Sequence, residues 1–314
     1  MTYNHEKFVA DALEGFLMQI TDFPFEVLIH DDASTDKTAE IIREYVKSYP
    51  SIIHPIYETE NQYSKKDGSL ARIVKMMSDN SKSQYMALCE GDDYWTDPYK
   101  LQKQVDYLQK HPDCSICITN GMAYNCKTDS FSELFVGKEA ETSKISQIIT
   151  LDNAYILSFP PTASYVYVRS KFNFDSNVPR CPSGDLRTRL MLMTEGYCFY
   201  LSDKTCVYRT NVENSAMFRW RRLSRAQQYQ NSERIINMID SIDLLTEHKH
   251  SAGLWEIKQG HITKKLNSAK GFSEFKNKES CSVFKKKKIK YKIRIIARMI
   301  MPDFLWEKIN RKDV

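Results

Sequence analysis

The chain has 314 residues, of which 42% are hydrophobic and 27% are charged, and its formal net charge is +5. A chain of this length and composition can bury a substantial core, which excludes a disordered or low-complexity protein. It shows no signal peptide and no apolar run of about eighteen residues. We therefore expect a cytoplasmic protein with reduced cysteines.

The hydrophobic pattern predicts alternating helices and strands over the first 125 residues. In chain order we expect a helix over 6–19, a strand over 26–30, a helix over 36–48, a strand over 52–58, a helix over 68–79, a strand that ends at 89, a helix over 98–110 and a strand over 114–125. Such alternation is typical of a mixed, mostly parallel sheet covered by helices.

The pattern is weaker beyond residue 125. There we expect a short helix over 148–157, strands over 163–168, 197–201 and 205–208, and helices over 186–195, 224–247 and 252–268. Cys114 and Cys117 have the spacing of a zinc or redox motif. Because no second pair of ligands follows, we interpret them as small apolar residues of a strand.

Two of the predicted strands run directly into acidic residues. These are Asp31 and Asp32 after one strand and Glu90, Asp92 and Asp93 after the other. In open α/β sheets ligands bind at the carboxyl ends of strands, and hard divalent cations prefer oxygen ligands. The pattern predicts a site for a metal ion and a diphosphate. The alternative is an acidic turn that caps the next helix.

Three segments closely resemble family 2 glycosyltransferases with the GT-A fold, which are inverting bacterial enzymes of capsule, O-antigen and exopolysaccharide synthesis. They are Thr-Tyr-Asn-His at 2–5, Asp-Asp-Ala-Ser-Thr-Asp at 31–36 and Glu-Gly-Asp-Asp-Tyr-Trp-Thr-Asp-Pro at 90–98. The resemblance is specific to about residue 115, looser to about residue 210 and absent beyond. It implies an α/β GT-A fold and transfer from a nucleotide sugar, UDP-linked, to a glycan or lipid-linked acceptor.

The resemblance also implies roles for the substrate-binding residues. Tyr3 would stack on the nucleotide base, and Asp32 would accept the imide N–H of a uracil-type base. Asn4 and Asp31 lie in the same two segments and are further candidates for substrate binding. A neutral base offers a π-face to tyrosine and a donor to a carboxylate, so these residue types suit the ligand.

The acids after the later strand would serve the diphosphate and the sugar. By resemblance Asp92 would contact the ribose or the sugar, and Asp93 would bind Mn²⁺ or Mg²⁺. An inverting transferase also needs a general base for the acceptor hydroxyl, and Asp185 lies at the matching position, at the start of a predicted helix. The alternative for Asp185 is an N-terminal helix acid that interacts only with the helix dipole.

Some positions depart from the family pattern. Family members usually begin with an apolar strand, but only Met1 precedes Thr2 here, so we expect the first strand to be missing and the sheet to be open beside the strand over 26–30. The phosphate-binding segment is matched only in part, which leaves Lys66 and Arg72 as candidates. No histidine follows Tyr208-Arg209, so water and diphosphate oxygens would complete the metal site, or the metal would bind weakly.

The C-terminal tail is strongly basic. Residues 285–301 contain eight basic residues and no acid, and isoleucines recur there at helical spacing. Together with Trp306, this pattern is typical of an amphipathic helix at a membrane surface, so residues 285–306 are expected to contact anionic lipid of the inner leaflet. The alternative is a helix packed on the body with a solvated basic face. Nucleic-acid binding is disfavoured by the acidic clusters elsewhere.

These patterns predict a glycosyltransferase domain over 1–210, with a nucleotide-binding half over 1–115 and an acceptor half over 116–210. A helical extension over 211–284 and a basic tail over 285–314 would follow. Two other functions remain open. One is an inactive module that binds nucleotide sugars, and the other is a metal-dependent nucleotidyltransferase.

Overall fold

The computed structural model describes residues 1–65, 68–134, 144–173, 177–213 and 215–312. The chain divides into two units, which we call the N-terminal unit (Met1–Thr150, Ile156–Phe174, Glu195–Thr210) and the helical unit (Leu151–Tyr155, Asp175–Thr194, Asn211–Val314). The helical unit thus includes Asp185 as well as the tail. The division into nucleotide-binding and acceptor halves stays a prediction.

The N-terminal unit contains strands and helices in alternation. Its strands in the described ranges are β1 (Val27–Asp31), β2 (Ile53–Tyr57), β3 (Tyr85–Ala87), β4 (Tyr94–Trp95), β5 (Cys114–Asn125), β6 (Ser130–Glu133), β7 (Gln147–Ile149), β8 (Tyr165–Val168) and β9 (Tyr197–Thr210). Its α-helices there are α1 (Val9–Leu17), α2 (Thr38–Ser48), α3 (Gln62–Lys65), α4 (Ser69–Asn80) and α5 (Lys100–Lys110).

The strands form a mixed arrangement. β1 and β2 pair in parallel, and the larger sheet has the order β3-β8-β5-β9-β4, with β6 beside β5 and β7 beside β9. The long β5–β9 pair is parallel, whereas the other described pairs of the larger sheet are antiparallel. The predicted mixed sheet flanked by helices is confirmed. Among the described strands antiparallel pairs outnumber parallel ones.

Two details beyond residue 125 were predicted wrongly. The segment expected as a helix over 148–157 forms the end of β7 and a 3₁₀ turn at Ala154–Ile156. The two strands expected over 197–208 are one strand, β9, whose pairing with β5 shifts register near Asn120. Such an irregularity lets one long strand continue past a polar interruption in the hydrophobic pattern.

Residues 1 and 2 connect the two sheets. The Thr2 N–H donates to the His30 carbonyl at 2.8 Å, and the Asp32 N–H donates to the Thr2 carbonyl at 2.9 Å. On the other side the Gly91 N–H donates to the Met1 carbonyl at 3.0 Å. In the described ranges β1 has β2 on one edge and a single bridge, Thr2 to Asp31, on the other.

Two apolar clusters stabilise the N-terminal unit. One lies between α1, α2 and the β1–β2 pair, and the other packs α5 against β5, β8 and β9. Cys114 and Cys117 are fully buried in the second cluster. Burial raises the pKa of Cys114 to about 11 and that of Cys117 to about 12. Both thiols therefore act as apolar packing groups, in agreement with their interpretation from the sequence.

The helical unit is built on a pair of long helices. Its α-helices in the described ranges are α6 (Gly184–Thr194), α7 (Ala216–Arg221), α8 (Arg225–Leu245), α9 (Ser251–Ser268), α10 (Lys278–Lys286), α11 (Ile289–Ile300) and α12 (Asp303–Lys312). Ser224 and Gln227 form a capping box that begins α8. None of the helices in the described ranges is long and apolar enough to cross a bilayer.

The basic tail is anchored to this unit. Ile295 and Met299 of α11 are buried in a cluster with residues of α9. Trp306 is only 2% exposed, and its indole N–H donates to the Asn267 carbonyl at 2.8 Å. The prediction that Trp306 meets a membrane is therefore wrong, because the ring fills the protein core. The buried Arg225 guanidinium donates to the carbonyls of residues 268, 269, 298 and 301. It therefore connects α8 to the C-terminal ends of α9 and α11.

Candidate active site

Hydrogen bonds join the turn after Thr2 to the loop after β1. Asn4 has a left-handed backbone with φ of 57°, and its side-chain oxygen accepts the Thr35 N–H at 2.8 Å. The Asn4 N–H donates to the Ser34 hydroxyl at 2.9 Å. Asn4 therefore fixes the loop that carries the first acidic pair. Its direct contact with a substrate stays a prediction.

Asp31 is an internal support of this loop. It is 2% exposed, and its carboxylate accepts the Thr2 hydroxyl at 3.0 Å and the Ser34 hydroxyl at 2.5 Å. The Ser34 N–H adds a third bond at 3.2 Å. With its oxygens bonded to the protein in this way, Asp31 orients the neighbouring loop.

Asp32 accepts bonds from the start of α3. Its two carboxylate oxygens accept the Gln62 N–H at 2.6 Å and the Tyr63 N–H at 3.0 Å. Asn61 donates its side-chain amide to the Asp32 carbonyl at 3.1 Å. This segment was not predicted as part of the site, because residues 61–63 carry neither a charge nor a motif. Each carboxylate oxygen has two lone pairs, so Asp32 retains acceptor capacity for a ligand.

Asp93 is the most buried acid after the later strand. It is 2% exposed, and its carboxylate accepts the backbone N–H of Arg209 at 2.8 Å. Burial raises the pKa of Asp93 well above its ordinary value, and the charges of Asp92 and Glu90 add to the shift. A buried carboxylate beside a half-buried one favours a cation in contact with it.

The donor set suits Mn²⁺ or Mg²⁺ bound together with phosphates. Among the described residues no group of three or more His, Cys, Asp or Glu side chains has the geometry of a complete metal site. Mg²⁺ is commonly held by one or two carboxylates plus substrate phosphates. Asp93 therefore fits the metal expected from the sequence, with further ligand oxygens supplied by a diphosphate and water.

Arg209 joins the acidic loop to α1, and its role was not predicted. Its guanidinium donates to the Asp92 carbonyl at 2.9 Å and pairs with the Asp11 carboxylate. It also lies over the rings of Phe8 and Tyr94, at 5.0 and 4.5 Å from their centroids. The sequence signal for this residue is the Tyr-Arg pair at 208–209, near the end of β9.

The two acidic pairs meet around the first residues of the chain. Thr2 bonds Asp31 while the Met1 carbonyl bonds Gly91, so about two residues of backbone, under about 10 Å, separate the two loops. Burial lowers the pKa of His5, whereas Asp92, Asp36 and Asp31 act in the opposite direction. The imidazole of His5 is therefore close to acids of both loops, and the structure places the two acidic pairs near each other.

The remaining candidates vary in how the structure places them. Tyr3 is 37% exposed, which leaves its ring accessible to a base. Arg72 is exposed on α4 and donates to the Ser69 hydroxyl at 2.8 Å. Lys66 lies outside the described residues. Base stacking by Tyr3 and phosphate binding by Arg72 or Lys66 stay predictions.

Asp185 is the second residue of α6 in the helical unit. The Ser183 hydroxyl donates to its carboxylate at 2.8 Å, and the carboxylate is half-buried. An acid in the first turn interacts favourably with the helix dipole, which is the alternative role that the sequence offered for Asp185. Its role as a general base stays a prediction.

Comparison with known proteins finds relatives of this chain. An uncharacterized protein of Mycobacterium tuberculosis is 48% identical over 117 residues, which are 37% of this chain and 32% of that protein. The chain thus spans about a third of the length of such curated relatives.

Solved structures share the fold over 99% of this chain. S. aureus TarS 1-349 in complex with UDP has a TM-score of 0.54 at 17% identity and is covered over 86% of its chain. The mannosyltransferase PcManGT from Pyrobaculum calidifontis, in complex with GDP-Man and Mn²⁺, has a TM-score of 0.52 at 13% identity and is covered over 85%. The fold is GT-A, as expected.

The family model for glycosyl transferase family 2 matches residues 1–158, about half of the chain and all of both acidic loops. The chain therefore belongs to glycosyl transferase family 2.

Proposed function

We propose that the protein transfers a sugar from a UDP-linked donor to a glycan or lipid-linked acceptor, with inversion at the anomeric carbon. The observation that carries this proposal is the meeting of two acidic loops around residues 1–5. Such a site presents a carboxylate for a base and a carboxylate pair for a metal–diphosphate group. Membership of the family and the UDP complex of TarS support it.

In this proposal the first loop binds the nucleoside. Tyr3 stacks on the base, and Asp32 accepts the imide N–H while the amides of residues 62 and 63 hold its carboxylate in place. Asn4 and Asp31 keep the loop in register. This arrangement favours a uracil-type base, which has both a π-face and an imide donor.

The later loop binds the sugar diphosphate. Asp92 contacts the ribose or sugar, and Asp93 would hold Mn²⁺ or Mg²⁺ against the phosphate oxygens. Such a cation, when bound, supplies positive charge to the departing diphosphate. The Mn²⁺ complex of PcManGT supports this choice of metal. Arg209 keeps the loop that carries both acids in position.

Asp185 is the proposed general base. Its carboxylate takes the proton of the acceptor hydroxyl as that oxygen attacks the anomeric carbon, and the nucleoside diphosphate leaves on the opposite face. The Ser183 hydroxyl orients the carboxylate. A base of this kind gives a product with inverted anomeric configuration.

Measurement of the reaction products tests the proposed transfer activity. The protein is incubated with Mn²⁺ and a panel of nucleotide sugars, and nucleoside diphosphate and pyrophosphate are measured separately. Release of nucleoside diphosphate that depends on Asp93 supports the proposal. Release of pyrophosphate identifies a nucleotidyltransferase, and donor binding without turnover identifies an inactive module.

We further propose that the enzyme acts in surface polysaccharide synthesis at the inner face of the cytoplasmic membrane, through the exposed face of α11. The support is a stripe on α11 formed by Ile289, Ile293, Ile296 and Ile300, which are 39–72% exposed and flanked by basic residues. A helix with an exposed apolar stripe and basic flanks partitions to anionic bilayer surfaces.

Vesicle binding tests this location. Replacement of Ile293 and Ile300 by serine should weaken binding to anionic vesicles about tenfold or more. Leu244, which is 67% exposed on α8, provides the control, since Leu244→Ser removes an exposed apolar side chain elsewhere. Equal binding by the wild type and the double variant would contradict the proposed contact.

A further inference from the structure

A groove between α9 and α11 concentrates positive charge. It has a volume of about 270 Å³ and is lined by Thr263, Asn267, Lys287, Tyr291, Arg294, Ile295 and Arg298. These lining residues, all in the described part of the chain, include three cations and no carboxylate. We call it the α9–α11 groove.

The cations of this groove come from two neighbouring elements of the helical unit. Tyr291, Arg294 and Arg298 recur at spacings of three and four on α11 and so share one helix face, and Lys287 joins them from the residue that ends α10. Like charges at such spacing are mutually unfavourable. A bound anion would interact with several of these cations at once.

The walls of the groove are fixed by the core beneath. The Arg298 guanidinium donates to the side-chain oxygen of Asn267 at 3.3 Å, and the Asn267 amide donates to the Thr263 carbonyl at 2.9 Å. Trp306 donates to the Asn267 carbonyl, and Ile295 is 1% exposed. These contacts hold the side of the groove formed by Asn267 and Arg298, which lowers the entropic cost of binding there.

We propose that the α9–α11 groove binds a phosphate group. Guanidinium groups match phosphate oxygens with paired N–H donors, lysine adds a point charge, and Tyr291 lines the same groove. The groove is distinct from the stripe of isoleucines, which lies on another face of α11. The phosphate is that of a lipid headgroup or of a soluble molecule, and the two sources share this chemistry.

The test compares two double variants of the full chain. Arg294→Gln with Arg298→Gln removes two groove cations, whereas Lys285→Gln with Lys290→Gln removes two exposed cations that do not line the groove. The net charge change is the same. Binding of inorganic phosphate is measured calorimetrically in EDTA, so that a metal-dependent donor site does not contribute. Circular dichroism verifies folding.

We expect the groove variant to bind phosphate at least about tenfold more weakly and the control variant to change less than about twofold. A second arm measures binding to phosphatidylglycerol vesicles and to vesicles made equally anionic with a fatty acid. A groove-dependent preference for phosphatidylglycerol assigns a lipid source, and groove-dependent binding of phosphate alone assigns a soluble one.

Two results would overturn the proposal. One is equal weakening by both double variants in every arm, which would reveal general charge attraction. The other is no binding of either phosphate source by the wild type. Release of nucleoside diphosphate from a nucleotide sugar, measured in parallel, reports separately on the proposed transfer activity, because the groove does not belong to the donor site.

Discussion

Arg209 is the residue whose loss should lower both the stability of the protein and the activity that depends on the acidic loop. The variant Arg209→Met keeps the length of the side chain and the backbone N–H that bonds Asp93. It removes a hydrogen bond from a charged donor to the Asp92 carbonyl, two cation–π contacts and the pair with the half-exposed Asp11.

The structure gives the size of this effect. The Arg209 side chain is 7% exposed, so its contacts are little screened. A charged hydrogen bond, two cation–π contacts and one partly exposed ion pair together contribute about 3 kcal/mol. Displacement of the loop by about 1 Å should also lower kcat/KM by at least about tenfold.

Urea unfolding and steady-state transfer measure the two consequences. Lys103→Gln is the matched control, since the Lys103 side chain is 41% exposed and pairs with Asp97 and Asp203 at the surface. We expect the control to lose less than about 1 kcal/mol. The reasoning is refuted if Arg209→Met is no less stable than the control.

Three further predictions concern packing and pH. Because the ring is buried, Trp306→Ala should lower the free energy of unfolding, measured with urea, by about 3–5 kcal/mol. An unchanged urea midpoint of unfolding would instead indicate that Trp306 lies at the surface. Gly91→Ala should abolish donor binding measured by thermal shift, since its Cβ would lie 2.8 Å from the His5 Nδ1, whereas Gly260→Ala on α9 has open space and should be tolerated. Burial lowers the pKa of His261 to about 4, so stability present above about pH 6.5 should be lost as the pH falls toward 4, by about 3 kcal/mol. His261→Leu should flatten that acid limb in urea titrations, and an unchanged limb would show that another group titrates.

Helices and strands were predicted best where either the helical or the strand period dominated the hydrophobic pattern. Strands β1, β2 and β5 and helices α2, α5 and α9 have bounds within about two residues of those expected. The helix expected over 148–157 failed because a short apolar run fits either period, and pairing with β9 decided for a strand.

The acidic loops could be predicted from the sequence, but their supports could not. Asp31, Asp32 and Asp93 follow apolar strands, a local pattern that the chain displays directly. The backbone amides at residues 62 and 63 carry no side-chain signal, and Arg209 reaches Asp11 across almost two hundred residues. Such contacts depend on tertiary packing, which a local pattern does not encode.

The C-terminal tail was also predicted only in part. Its charge and helical spacing are visible in the sequence, and both correctly indicated an amphipathic helix. Which apolar residues face the protein depends on the partner helix α9, which buries Ile295, Met299 and Trp306 and leaves Ile293 exposed. Composition alone assigned Trp306 to the wrong face.

Calorimetric titration of UDP, with and without Mn²⁺, tests the central claim most directly. It is carried out on the wild type, Asp93→Asn and Asp185→Asn, each verified to fold. We predict that Asp93→Asn loses the metal-dependent part of UDP binding and that Asp185→Asn keeps it while losing transfer. Equal loss of UDP binding in both variants, or metal-dependent binding that survives in Asp93→Asn, would contradict the assigned roles.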